Sequence, residues 1–204
     1  MESISAFEII KVGIGPSSSH TMGPWCAAER FISGLKQKQF FDTVVQVKVW
    51  LYGSLAKTGF GHGTDVAILM GLSGEDFTKI DSTKIPEKVR EIKESGVLLL
   101  GGERSIDFSY VQDLSFEFGI TLDFHPNGMR FEAFFENGKS YGVNYFSIGG
   151  GFVVKEGEAD DEIRNDSKVT PYPCHSAKDI LNNCKKLNLR VSELVFLNEQ
   201  TWRT

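Results

Sequence analysis

Apolar residues recur along this chain with two different periods. Ala27, Ala28, Phe31, Ile32 and Leu35 fall at helical spacing and predict a helix to about Lys38 with one buried face. Val45, Val47, Val49 and Leu51 then alternate with Gln46, Lys48, Trp50 and Tyr52, the pattern of a half-buried strand. Gly63 or Thr64 opens a second helix carrying Val66, Ala67, Leu69 and Met70, and Leu72-Ser73-Gly74 closes it. Pro86 begins a third, to about Glu94, as proline's tolerance in a first turn allows. Strand patterns dominate the next sixty residues: short ones at 97–100 and 106–108, clearer ones at 114–118, 129–135 and 142–148. Met129, Phe131, Ala133 and Phe135 share one face, and Asn137-Gly138 signals a hairpin to the next strand. The order predicts an α+β domain: an open mixed sheet with helices packed on one face.

The pattern breaks at 156–168, which is acidic, polar and poor in apolar residues, and reads as a linker. Two helices follow, at 176–187 with Ile180, Leu181 and Cys184 on one side, and from about Ser192 with Leu194, Val195 and Leu197. No stop signal precedes Trp202-Arg203-Thr204. The expected organisation is therefore a first domain over 1–155, a linker over 156–170, and at 171–204 the start of a truncated all-α domain.

Composition narrows the function classes. The chain has 204 residues, 41% of them hydrophobic, and its 16 Phe can build a large core. A net charge of −5 argues against nucleic-acid binding, which calls for a basic patch or stripe. No apolar run approaches membrane-spanning length, and Met1-Glu2-Ser3-Ile4-Ser5 lacks the basic start of a signal peptide, so a cytoplasmic protein is expected. The three cysteines, Cys26, Cys174 and Cys184, make no disulfide framework. Cys174, His175 and Cys184 lack the tight paired spacing of a zinc site, and no metal ligands are expected within the chain.

Four short segments carry chemistry. Gly15-Pro16-Ser17-Ser18-Ser19-His20-Thr21 sets four hydroxyls and an imidazole at a helix start, where free N–H groups favour a small anion. Such hydroxyls also cap helices with no ligand at all. Gly59-Phe60-Gly61-His62-Gly63-Thr64-Asp65 places His62 at a strand-to-helix turn, and Asp65 is in position to cap that helix. His125-Pro126-Asn127-Gly128-Met129 leads into a strand, and Ser147-Ile148-Gly149-Gly150-Gly151 ends one. Turn chemistry explains any one of these; four in one domain of this size point to a ligand site.

Taken together, these segments resemble the β domain of the iron–sulfur-dependent L-serine dehydratases. The resemblance rests on Gly13-Ile14-Gly15-Pro16-Ser17-Ser18-Ser19-His20-Thr21, on Leu51-Tyr52-Gly53-Ser54-Leu55-Ala56 with Gly61-His62-Gly63-Thr64-Asp65, on His125-x-Asn127-Gly128-Met129, and on Tyr145 to Phe152. It implies a lyase that converts L-serine to pyruvate and ammonia, in a bacterial, cytoplasmic homodimer. It further implies a four-iron–four-sulfur cluster and no pyridoxal phosphate. The cluster ligands would lie beyond Thr204, in the α domain of the same protein, which is the expected partner of this one. The resemblance extends to the allosteric serine-binding domain of some D-3-phosphoglycerate dehydrogenases, so a non-catalytic serine sensor is the alternative. The pair His20 and His62 separates the two, because a sensor needs no base.

Removal of the α proton of serine and expulsion of its hydroxyl calls for a base and a means of stabilising the leaving group. His62 is the expected base, between glycines that let backbone approach a ligand, with Thr64 orienting the substrate. His20 orients or shuttles protons. Ser17, Ser18, Ser19 and Thr21 would bind the substrate carboxylate, Asn127 its amino or carboxylate group, and Ser147, Gly149 and Gly150 would complete the anion site. For Ser147 and the glycines a bulge in a bending strand is the competing reading. His125 either supports Asn127 or is a turn residue before Pro126. Asp65 is taken as supporting, and His175 as surface.

Overall fold

The computed structural model describes residues 12–158 and 170–201. Contacts divide the chain into two units, one spanning Val12–Glu158 and the other containing residues 170–201. In the first, a five-residue π-helical turn, Ser18–Met22, runs directly into helix α1 (Gly23–Gln37). Strand β1 (Val44–Tyr52), the short helix α2 (Gly53–Thr58) and helix α3 (Thr64–Leu72) follow, then α4 (Ile85–Ser95), β2 (Val97–Leu100) and β3 (Arg104–Asp107). A single turn, α5 (Tyr110–Asp113), leads to β4 (Leu114–Glu117), β5 (Gly128–Phe135), β6 (Ser140–Gly149) and β7 (Phe152–Lys155).

The main sheet has the order β4-β1-β5-β6-β7; β1 and β4 are parallel and every other pair antiparallel, so the sheet is mixed. Strands β2 and β3 form a separate ribbon. Alternation builds the core: Val47, Val49 and Leu51 of β1 and Met129, Phe131 and Ala133 of β5 are fully buried. Phe31 of α1 stacks on Phe131 at 5.4 Å between ring centroids. Burying a side chain of that size contributes about 2–3 kcal/mol. Helix α3 is apolar all round, and Ala67, Ile68, Leu69, Met70 and Leu72 have no exposed surface, as a helix enclosed on every side requires. The expected α+β class, with helices on a mixed sheet, is what the chain adopts.

One strand differs from its pattern. Val45, expected on the buried face, is 42% exposed, and Val44 is buried in its place. Val44 pairs with Phe135 and Gln46 with Phe134, so Val45 is the extra residue of a β-bulge, and alternation resumes only beyond it. The hairpin at Asn137-Gly138 forms as expected, with Asn137 Oδ1 accepting the Lys139 N–H at 3.0 Å.

The acidic segment read as a linker begins on the sheet. Glu158 pairs with Arg30 at 2.7 Å, and Glu156 accepts from the Asn144 amide at 2.9 Å. Residues 159–169 of that segment lie outside the described residues. In the second unit Ser176 caps α6 (Ala177–Leu187), and α7 (Val191–Gln200) follows; His175 is exposed. Among the described residues no helix is long and apolar enough to cross a membrane.

Candidate active site

Two histidines distant in sequence meet at the start of α1 and α3. The imidazoles of His20 and His62 lie 5.1 Å apart between ring centroids, tilted by 45°. Local chemistry places each. Ser17 caps the π-helical turn by accepting the His20 N–H at 3.1 Å, and the wide turn presents His20 at the mouth of the helix. His62 closes a 3₁₀ turn, after which Gly63, at φ +64°, turns the chain into α3.

Hydrogen bonds assign the protons. His62 Nδ1 lies 2.8 Å from the Thr58 carbonyl oxygen, which can only accept, so Nδ1 carries the proton and Nε2 of the neutral ring presents a lone pair. That is the tautomer of a base. His20 is held at both nitrogens, by Ser19 Oγ at 2.9 Å and Ser54 Oγ at 3.0 Å. Ser54 was not among the residues expected at the site. Its only local signal is its place beside Gly53 at a strand end; the structure brings it to His20 across 34 residues.

The other expected residues fall into three groups. Ser18 is exposed at the mouth of the turn, and among the described residues its hydroxyl has no hydrogen-bond partner, whereas Ser17 and Ser19 are engaged with His20. Thr21 and Thr64 are buried, and their hydroxyls donate to backbone carbonyls, Thr21 to His62 at 2.8 Å and Thr64 to His20. Asn127 and Ser147 pin one another: the Asn127 amide donates to the Ser147 carbonyl at 3.0 Å, and the Ser147 N–H donates to the Asn127 carbonyl at 3.1 Å. His125 Nδ1 accepts the Asn127 N–H at 3.1 Å, so this histidine supports the loop that carries Asn127.

Ser147 is wholly buried, and its Oγ is without a partner among the described residues. It abuts Gly23, where an added Cβ would come within 1.9 Å of that Oγ, so β6 touches the first turn of α1. Gly149 ends β6, and Gly150 and Gly151 form the turn into β7; all three have positive φ. Asp65 accepts from the Tyr110 hydroxyl at 2.6 Å, with Lys93 3.9 Å away.

Burial first, and the neighbouring His62 second, hold the His20 imidazole below its usual 6.5, against a smaller opposing effect of Ser54. Between that lowered value and 6.5 the unfolded chain binds the proton more readily than the folded one, so stability falls as the pH drops through the interval. We expect the melting temperature of the wild-type chain to fall between pH 7.5 and pH 5 by more than that of His20→Gln. Parallel curves for the two would contradict this. Among the described residues no three His, Cys, Asp or Glu side chains gather as metal ligands.

The sequence profile of the serine dehydratase beta chain family matches residues 5–158, the stretch that holds every element of this site. This chain belongs to that family. It is 42% identical over 197 residues to L-serine dehydratase 1 of Escherichia coli, covering 96% of this chain and 43% of the relative. It is 40% identical over 202 residues to the L-serine dehydratase of Streptomyces coelicolor, covering 98% and 44%, and 39% identical over 203 residues to that of Helicobacter pylori, again 98% and 44%. As a serine dehydratase beta chain it thus spans less than half the length of the relatives it matches.

Proposed function

We propose that this beta chain supplies the base and the carboxylate-binding groups of an L-serine dehydratase that forms pyruvate and ammonia. The observation that carries the reading is the His62 tautomer: Nδ1 is spent on Thr58, and Nε2 is left basic beside His20. In this reading Nε2 removes the α proton of serine. His20, bridged between Ser19 and Ser54, moves a proton along that chain of hydroxyls or holds the substrate for His62. The substrate carboxylate takes the Ser18 hydroxyl and the N–H groups at the open end of the π-helical turn. Asn127 gives one amide N–H to Ser147, and in this reading its Oδ1 accepts from the substrate's ammonium.

The described residues make no nest for an iron–sulfur cluster. Cys26 lies in one unit, Cys174 and Cys184 in the other, and no three ligand side chains converge. No step is therefore routed through a cluster held by this chain; in our reading its thiolates lie beyond Thr204, in the α domain of the longer protein, which assembles as a cytoplasmic homodimer.

The test is pyruvate formation from L-serine by the full-length, cluster-loaded protein. Tight serine binding with no pyruvate would favour a sensor and overturn the catalytic reading. Ser18→Ala should raise KM by roughly 10- to 100-fold and change kcat little, because one hydrogen bond to a charged group is worth about 1.5–3 kcal/mol and persists from ground state to transition state. Steady-state kinetics check this; a fall in kcat at unchanged KM would contradict it.

A further inference from the structure

Each histidine of the pair is held through its own carbonyl by a hydroxyl from the other's segment. The Thr21 hydroxyl, next to His20, donates to the His62 carbonyl at 2.8 Å; the Thr64 hydroxyl, two residues after His62, donates to the His20 carbonyl. The two bonds cross, at sequence separations of 41 and 44 residues. Both threonines are buried, 3% and 0% exposed. A hydroxyl has one proton, and in both it is spent; Thr21 Oγ1 also accepts the Ser17 N–H at 3.3 Å.

We propose that Thr21 and Thr64 are positioning residues, a reciprocal clamp that fixes the separation of His20 and His62, and that they do not bind substrate. A substrate carboxylate needs a donor proton, and neither threonine has one to give. The carbonyls they hold belong to a π-helical turn and a 3₁₀ turn, both short, and such turns leave carbonyls needing partners. Without the cross-bonds the two turns are tied only by the Ser54 contact to the His20 ring and by the packing of α1 on α3, and among the described residues no bond joins the backbone of one histidine to the segment of the other. Valine at either position keeps the shape and removes the donor; serine keeps the donor and removes a methyl group.

The inference rests on the dehydratase reading for its kinetic test, so a second readout is independent of activity. In the full-length protein, Thr21→Val and Thr64→Val should each lower kcat by roughly 10- to 100-fold, since a misplacement of about 1 Å costs up to that much. KM should stay within about twofold, and serine at the same position should restore most of kcat. Histidine-selective NMR titration should show His20 moving back toward 6.5 in the valine variants, as His62 is released from beside it. A raised KM with kcat kept would make the hydroxyl a substrate ligand and overturn the clamp. So would an unchanged kcat, a failure of serine to restore it, or a His20 titration that does not move. Should a valine variant fail to fold, alanine carries the same comparison. If the wild-type protein forms no pyruvate, the dehydratase reading fails, and the titrations still judge the clamp.

Discussion

His62→Ala in the full-length, cluster-loaded protein should lower kcat by about 10²–10⁴-fold with little change in serine affinity. In barrier terms that is about 3–5 kcal/mol. The expectation follows from the bond at Nδ1. Because the Thr58 carbonyl can only accept, the ring keeps one tautomer, and its basic nitrogen is Nε2. The carboxylate of the substrate is held by other groups, so binding survives the loss of the imidazole. The deciding measurement is exchange of the α proton of serine with solvent deuterium, followed by NMR. A His62→Ala protein that exchanges the proton at the wild-type rate would remove His62 as the base. His20 would then take its place, with Ser54 and Ser19 as its two contacts.

The second large effect is on stability. Gly53 stands at φ +53°, where β1 ends, and a Cβ added there would lie 2.3 Å from the Pro126 carbonyl oxygen. Its N–H donates to the Ile120 carbonyl, and the next N–H, of Ser54, donates to that of Pro126, each at 2.8 Å. The crossing thus locks the loop that carries Asn127 against the helix that carries Ser54. Gly53→Ala meets both a left-handed backbone, costing about 1–2 kcal/mol, and a clash with main chain, costing about 1–3 kcal/mol. A destabilisation of about 3 kcal/mol is expected, a drop of roughly 6–12 °C in melting temperature for a domain of this size. Gly61→Ala is the control: a methyl group there meets nothing within 4 Å, and the expected change is about 0.5 kcal/mol or less. Equal melting temperatures for the two variants would refute the argument.

Much of this was readable in local pattern. The alternation of Met129, Phe131, Ala133 and Phe135, the glycine at the end of α3, and Pro86 at the start of α4 are properties of short windows, because strand and helix periods repeat within a few residues. The chemistry-bearing segments could be read for the same reason, since glycines and polar groups at element ends mark themselves. Parity within β1 could not be read through Val45, because a bulge depends on how the partner strand registers, not on the residue that forms it.

By itself, then, the sequence determined most of the helices and strands, though not α2, which separates β1 from His62, nor β7, and it determined which residue types stand at their ends. Tertiary structure alone decided what each polar atom does. Ser54 reaches His20 only because β1 delivers α2 beside the start of α1. Thr21 and Thr64, indistinguishable in sequence from substrate-facing hydroxyls, turn inward to carbonyls more than forty residues away. Asp65, which its position marked as a helix cap, binds Tyr110 instead. A hydroxyl or carboxylate makes its hydrogen bond with whichever group lies about 3 Å away. Across such separations that neighbour is chosen by how the elements pack and by no local preference of the residue.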